Sequence, residues 1–188
     1  IVTKGEVFAY TGNTGGSGGP HLHFEIRDNQ ERPINPLLFG LKVKDTKKPI
    51  VKSVYAYPIN DLSHVNGSNL KQKLRVIPQQ NGDYKVEDLT AYGKIGFAIN
   101  TIDQQDLAAN KNGVYKIETF YNGAQNFTID FRKFSFDETK HLNRLIDYKH
   151  YKDEKERLQK LYLDTNNPLS LYKEKIDDGY LVIYDTVS

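Results

Sequence analysis

Two alternating runs, Tyr115–Tyr121 and Ala124–Arg132, meet at Asn122-Gly123, and this junction constrains the fold more than any other feature of the chain. Asn-Gly is the strongest short-range hairpin signal, because both central residues of a type I′ turn need positive φ. On the return run Phe127, Ile129 and Phe131 alternate with Thr128 and Asp130, which predicts one buried and one wet face. The thirteen tyrosines and nine phenylalanines, with no tryptophan, favour strands. The absence of cysteine rules out disulfides and zinc–thiolate sites. A fold held by antiparallel strands around an apolar core is therefore expected, and 188 residues with 38% apolar content suit one or two small β-rich domains.

A second alternating segment, Gly19-Pro20-His21-Leu22-His23-Phe24-Glu25-Ile26-Arg27, carries the chemistry. In a strand, successive side chains point to opposite faces, so His21, His23, Glu25 and Arg27 share one face and Leu22, Phe24 and Ile26 the other. The apolar set is expected to anchor a core while two imidazoles project into one small volume. The run before it, Tyr10 to Pro20, contains five glycines and one proline, a composition that lets backbone approach a ligand or another chain closely. Two plainer readings stay open on the residues alone: a pair of histidines that serve only as satisfied polar groups, and an ordinary flexible hairpin loop.

Val2 to Phe39 resembles the C-terminal end of the lysostaphin-type (LytM-like) zinc metalloendopeptidases, which cut peptidoglycan cross-links. The residues carrying the likeness are Lys4-Gly5-Glu6-Val7, Tyr10-Thr11-Gly12-Asn13-Thr14-Gly15, Gly19-Pro20-His21-Leu22-His23-Phe24-Glu25 and Pro33-Ile34-Asn35-Pro36-Leu37. The resemblance implies that His23 is a zinc ligand and that His21 is the non-ligating catalytic histidine. Glu25 either orients His23 from behind or stays a surface carboxylate. The family's other two zinc ligands come from an upstream His-x-x-x-Asp motif, yet none of the residues before His21 is a histidine or an aspartate. His64, His141 and His150 lie downstream and fit no metal-ligand spacing. A catalytic zinc needs three protein ligands, so the chain by itself is expected to be inactive. It is expected to be a fragment of a longer protein, to share its site with another polypeptide, or to descend from a member whose upstream motif decayed.

The remainder reads as a separate unit. Residues 1–40 are expected to be the C-terminal part of the peptidase domain. Residues 41–49, ending in Asp45-Thr46-Lys47-Lys48-Pro49, suit a linker, and residues 50–188 suit a β-sandwich incomplete at its C-terminus. Strands are expected over Ile50–Tyr57, Leu70–Ile77, Tyr92–Asn100, Leu161–Leu163 and Tyr180–Tyr184, with a turn at Asp177-Asp178-Gly179. A short inserted helix is expected after Ser135, where Glu138 completes a capping-box spacing and Leu142, Leu145 and Ile146 form an apolar stripe. Tyr148–Lys160 either prolongs that helix or forms an exposed loop, and its lysines and Arg157 read as a solvated face because acids are interleaved. The unit resembles the immunoglobulin-like domain of Bacteroidetes-type envelope metallopeptidases through Tyr92–Phe97, Asn112–Tyr115, Phe134–Thr139 and Leu169–Tyr172. In such domains a final strand pair follows, whereas this chain stops at Asp185–Ser188.

The fold class expected is thus mainly β: a C-terminal fragment of an antiparallel-β metallopeptidase domain followed by an immunoglobulin-like sandwich with a short inserted helix. By resemblance, the parent is a zinc endopeptidase acting on peptidoglycan in the bacterial envelope, periplasmic or outer-membrane-associated. The alternative is a non-catalytic LytM-like component or regulator of a larger envelope assembly, binding a protein partner through the sandwich. A net charge of +2 does not point to nucleic acid, and no transmembrane run is present in the sequence. A carbohydrate-binding sandwich ranks last for want of a tryptophan platform.

Overall fold

The computed structural model describes residues 1–184; the expected truncated edge at Asp185–Ser188 lies outside them. Its elements in chain order are β1 (Ile26–Arg27), β2 (Pro33–Ile34), β3 (Ile50–Pro58), β4 (His64–Val65), β5 (Gln72–Leu74), β6 (Val76–Pro78), β7 (Tyr84–Val86), β8 (Ala91–Ile102), β9 (Lys116–Tyr121), β10 (Ala124–Asp130), α1 (Tyr148–Glu154), β11 (Gln159–Lys160), β12 (Tyr172–Lys175) and β13 (Leu181–Ile183). The chain is mainly β, as expected, and its paired strands are antiparallel.

The long β3–β8 pair forms the spine of the larger sheet, which runs β11-β8-β3-β5, with β13 and β4 also pairing with β8. A second sheet runs β12-β10-β9. Phe97 and Ile99 of the first pack against Phe127 and Ile129 of the second, with Leu145, Leu161, Leu169, Leu171 and Tyr172 closing the core. The β9–β10 hairpin turns at Asn122-Gly123 with φ of 50° and 81°, as the dipeptide requires.

The wet face expected on β10 is absent. Thr128 and Asp130 are as buried as Phe127 and Ile129. A strand flanked on both sides has its outer residues covered by neighbours, and here Gln125 Nε2 donates to Thr128 Oγ1 at 2.6 Å while Arg132 N donates to Asp130 at 2.8 Å. The expected strand 70–77 is also broken. Its first half, β5, extends the main sheet on β3, while β6 turns away to pair with β7. Leu161–Leu163 is a bend rather than a strand, although Leu161 N still donates to Phe97 O at 2.8 Å.

Ser135 and Glu138 close the capping box as expected, but the helix they start is 3-10 over Phe136–Leu145. Phe136, Thr139, Leu142 and Leu145 are spaced by three, the period of a 3-10 turn, and this places Leu145 in the core. Tyr148–Glu154 is neither a prolongation nor a loop but a separate helix, capped by the Asp147 side chain accepting from His150 N. Its face is solvated in part: Lys149 pairs with Asp153 across one turn in the open. Lys160 departs from that expectation, being buried and paired with Asp164, because it lies on β11 against Ala98.

Helix α1 is tied to the main sheet by a polar network that the sequence does not announce. Lys71 Nζ lies 3.0 Å from Asp147 Oδ2 and 3.1 Å from His150 Nδ1. An ammonium only donates, so Nδ1 accepts and the Nε2–H of His150 donates to Glu156 Oε2 at 2.9 Å. Ser53 and Asn100 donate to the other oxygen of Glu156. Burial alone would raise the Glu156 pKa, but hydrogen bonds from Ser53, His150 and Asn100 and the nearby charge of Lys73 outweigh it and hold it at about 2, against an ordinary 4.5. A carboxyl depressed in the folded state stabilises above its unfolded pKa and loses that contribution as pH falls through the folded value. Thermal unfolding followed by circular dichroism should therefore show stability falling between about pH 4.5 and 2. Glu156→Gln should melt lower at pH 7 and lose less over that window; an unchanged pH profile would remove Glu156 from the account.

Candidate functional site

The histidine segment is placed by the small hairpin that follows it. β1 and β2 pair Ile26 with Ile34 and Arg27 with Pro33, and Asn35 caps a 3-10 turn over Pro36–Phe39 that ends at Gly40 with φ 84°. The expected strand shrinks to Ile26–Arg27, and residues 1–25 form no strand. A strand exists only where a neighbour takes its backbone groups, and among the described residues none pairs with 20–25. For the same reason Leu22 and Phe24 are exposed rather than anchored in a core.

The two histidines present opposite ring nitrogens. His21 Nδ1 lies 2.9 Å from the carbonyl oxygen of Gly19 and 3.0 Å from Ser17 Oγ. A carbonyl only accepts, so Nδ1 carries a proton, and in the neutral ring Nε2 is the nitrogen with the lone pair. His23 Nε2 lies 2.5 Å from Glu25 Oε1. The carboxylate likewise accepts, so Nε2 carries the proton and Nδ1 is the nitrogen open to a metal. The second Glu25 oxygen accepts from Arg27 Nε at 2.6 Å. Hydrogen bonds from Arg27 and then from His23 hold the Glu25 carboxyl below its usual range. His23 and Arg27 are thus joined through the Glu25 carboxylate, while His21 is held on the glycine loop at Gly19 and Ser17.

The donor set fits zinc at one corner only. Among the described residues no group of three or more His, Asp or Glu side chains is gathered to hold a metal ion. His64 stacks on Tyr92 with centroids 5.4 Å apart, and His150 belongs to the network beneath α1. Among the described residues, His23 is thus a candidate ligand with no two further ligands gathered beside it.

Residues 1–36 match the model of Peptidase family M23. That match contains both histidines. A DD-carboxypeptidase/endopeptidase Mpg of Neisseria meningitidis serogroup B, and one of the same name from Neisseria gonorrhoeae, are each 50% identical over 40 residues. The alignment covers 21% of this chain and 9% of each relative, so the chain spans a small part of the relatives it matches. No solved structure matches the chain. The likeness to a LytM-type peptidase is supported at the N-terminal segment, and the immunoglobulin-like likeness of the downstream sheets lies outside the matched residues.

Sequence reasoning left the role of Glu25 undecided and assigned none to Arg27. The spacing of two that puts both on the histidine face was the available signal. Which ring nitrogen each histidine exposes has no sequence signal, because it depends on the fold of the loop around Ser17.

Proposed function

We propose that this chain is part of a zinc-dependent metalloendopeptidase that hydrolyses peptidoglycan peptide cross-links in the bacterial envelope, periplasmic or outer-membrane-associated. Residues 1–40 form the C-terminal part of its LytM-like peptidase domain, 41–49 a linker, and 50–188 an immunoglobulin-like sandwich. The observation that carries this reading is the complementary pair of ring nitrogens on a segment matching family M23. His23 offers Nδ1 as one ligand, and the others come from residues outside this chain. Zinc in such sites acts as a Lewis acid on the scissile carbonyl. His21, with Nδ1–H fixed on Gly19 and Nε2 free, is suited to take up and return a proton beside it. Among the described residues no helix is long and apolar enough to cross a membrane.

The test is His21→Ala in the longer protein that contains this chain. It should keep zinc and lose cleavage of purified peptidoglycan by about 10²–10⁴-fold, the usual worth of a general acid–base group. Undiminished cleavage would remove His21 from the mechanism. A second reading is a non-catalytic component or regulator of an envelope assembly that binds a protein partner through the sandwich. It predicts that the longer wild-type protein neither retains zinc nor cuts peptidoglycan.

A further inference from the structure

The pair between His23 and Glu25 is exposed, and an exposed pair by itself holds a ring weakly. The next contacts change this. The Arg27 guanidinium, whose Nε holds Glu25, lies 5.1 Å from the centroid of the Phe136 ring. A planar guanidinium can stack on an aromatic face while its Nε–H points at a carboxylate, which an ammonium cannot do. Phe136 is itself fixed. It opens the capped 3-10 segment, meets Phe134 edge-on at 6.1 Å, and its turn is held by Glu138, which also accepts from Ser170 N at 2.7 Å.

The backbone beneath Arg27 is clamped to the same stretch. Ile34 bridges to Lys133, Asn35 N donates to Arg132 O at 2.9 Å, and Lys133 Nζ reaches Asp28 Oδ2 at 2.9 Å. The floor under the histidine segment is therefore built by residues 132–138, some hundred positions downstream. Contacts run without a gap from Phe136 through Arg27 and Glu25 to His23.

We propose that Arg27, seated on Phe136, is a positioning residue that sets the His23 ring through Glu25, so that the downstream β region supports the histidine segment. The proposal rests on the preceding section only for the identity of His23 as a metal ligand. The variants are Arg27→Lys, Phe136→Leu and Phe136→Tyr. Phe136 is half exposed, so its replacement leaves the core intact.

In the 188-residue chain, the Arg27 Nε–H signal in NMR should be protected from exchange in the wild type. It should lose that protection several-fold in Phe136→Leu and recover it in Phe136→Tyr, which restores the ring face. In the longer protein, zinc affinity measured by chelator competition should fall by about tenfold in Arg27→Lys, in line with losses of partners behind a metal ligand. The melting temperature should not move. Wild-type protection in Phe136→Leu, or wild-type zinc affinity in Arg27→Lys, would overturn the proposal. If the longer wild-type protein binds no zinc, the functional reading fails, and the exchange measurement alone decides whether Arg27 is seated as proposed.

Discussion

In the zinc peptidase proposed above, His23→Ala is expected to strip the metal, with metal analysis falling from one equivalent to background after dialysis. The expectation follows from the ring geometry. Glu25 occupies Nε2, which leaves Nδ1 as the donor and fixes its lone pair away from the carboxylate. Alanine removes one of about three protein ligands, and the remaining two cannot fill a tetrahedral shell without extra water. The loss should exceed the ~10–100-fold penalty of disturbing a partner behind a ligand, so Glu25→Gln should fall between wild type and His23→Ala. His23 is exposed, with its side chain 68% accessible, so the substitution should leave the thermal unfolding of the fold unchanged. That separation gives the experiment its force: zinc loss with an unaltered melting curve is ligand loss, not unfolding. Stoichiometric zinc in the alanine variant would overturn the assignment.

Features set by neighbours in sequence were legible, and those set by distant partners were not. Asn122-Gly123 needed nothing beyond its own φ preferences, and the Ser135–Glu138 box nothing beyond a spacing of three. The strand expected through His21 and His23 failed because alternation describes a strand only when another strand takes its hydrogen bonds, and none among the described residues does so at 20–25. The wet face of β10 failed for a related reason, since a strand reads alike in sequence whether one side or both will be covered. At the site, His23, Glu25 and Arg27 are near neighbours in sequence and are joined by hydrogen bonds through the Glu25 carboxylate. The seat of Arg27 on Phe136 joins positions more than a hundred residues apart, and no local pattern encodes such a contact. The charged run 147–160 shows the same division. Its interleaved signs foretold the open Lys149–Asp153 pair, whereas the burial of His150 against Lys71 depends on the chain returning to β5.

Gly179→Ala is expected to be among the most damaging single-methyl changes in the fold. Gly179 sits at φ +82°, where an L side chain clashes with its own backbone, at a cost of about 1–2 kcal/mol. An added Cβ would also meet Leu161 O at 2.6 Å and the Phe127 ring at 2.8 Å. Overpacking of this kind costs typically about 1–3 kcal/mol. Phe127 is 1% exposed at the centre of the core and cannot swing clear, and Leu161 O belongs to the backbone. The Gly179 carbonyl further accepts from the Tyr121 hydroxyl at 3.2 Å, so a shift of the turn pulls on the end of β9. Together these place the loss at roughly 2–5 kcal/mol, a large part of the ~5–15 kcal/mol that holds a domain folded. Urea unfolding of the purified chain measures it, and a loss below about 0.5 kcal/mol, the range of an ordinary surface change, would refute the close packing of the turn. Phe127→Ala alone should cost about 3–5 kcal/mol. Combined with Gly179→Ala it should cost less than the sum, because removing the ring removes one of the two clashes while the one with Leu161 O persists.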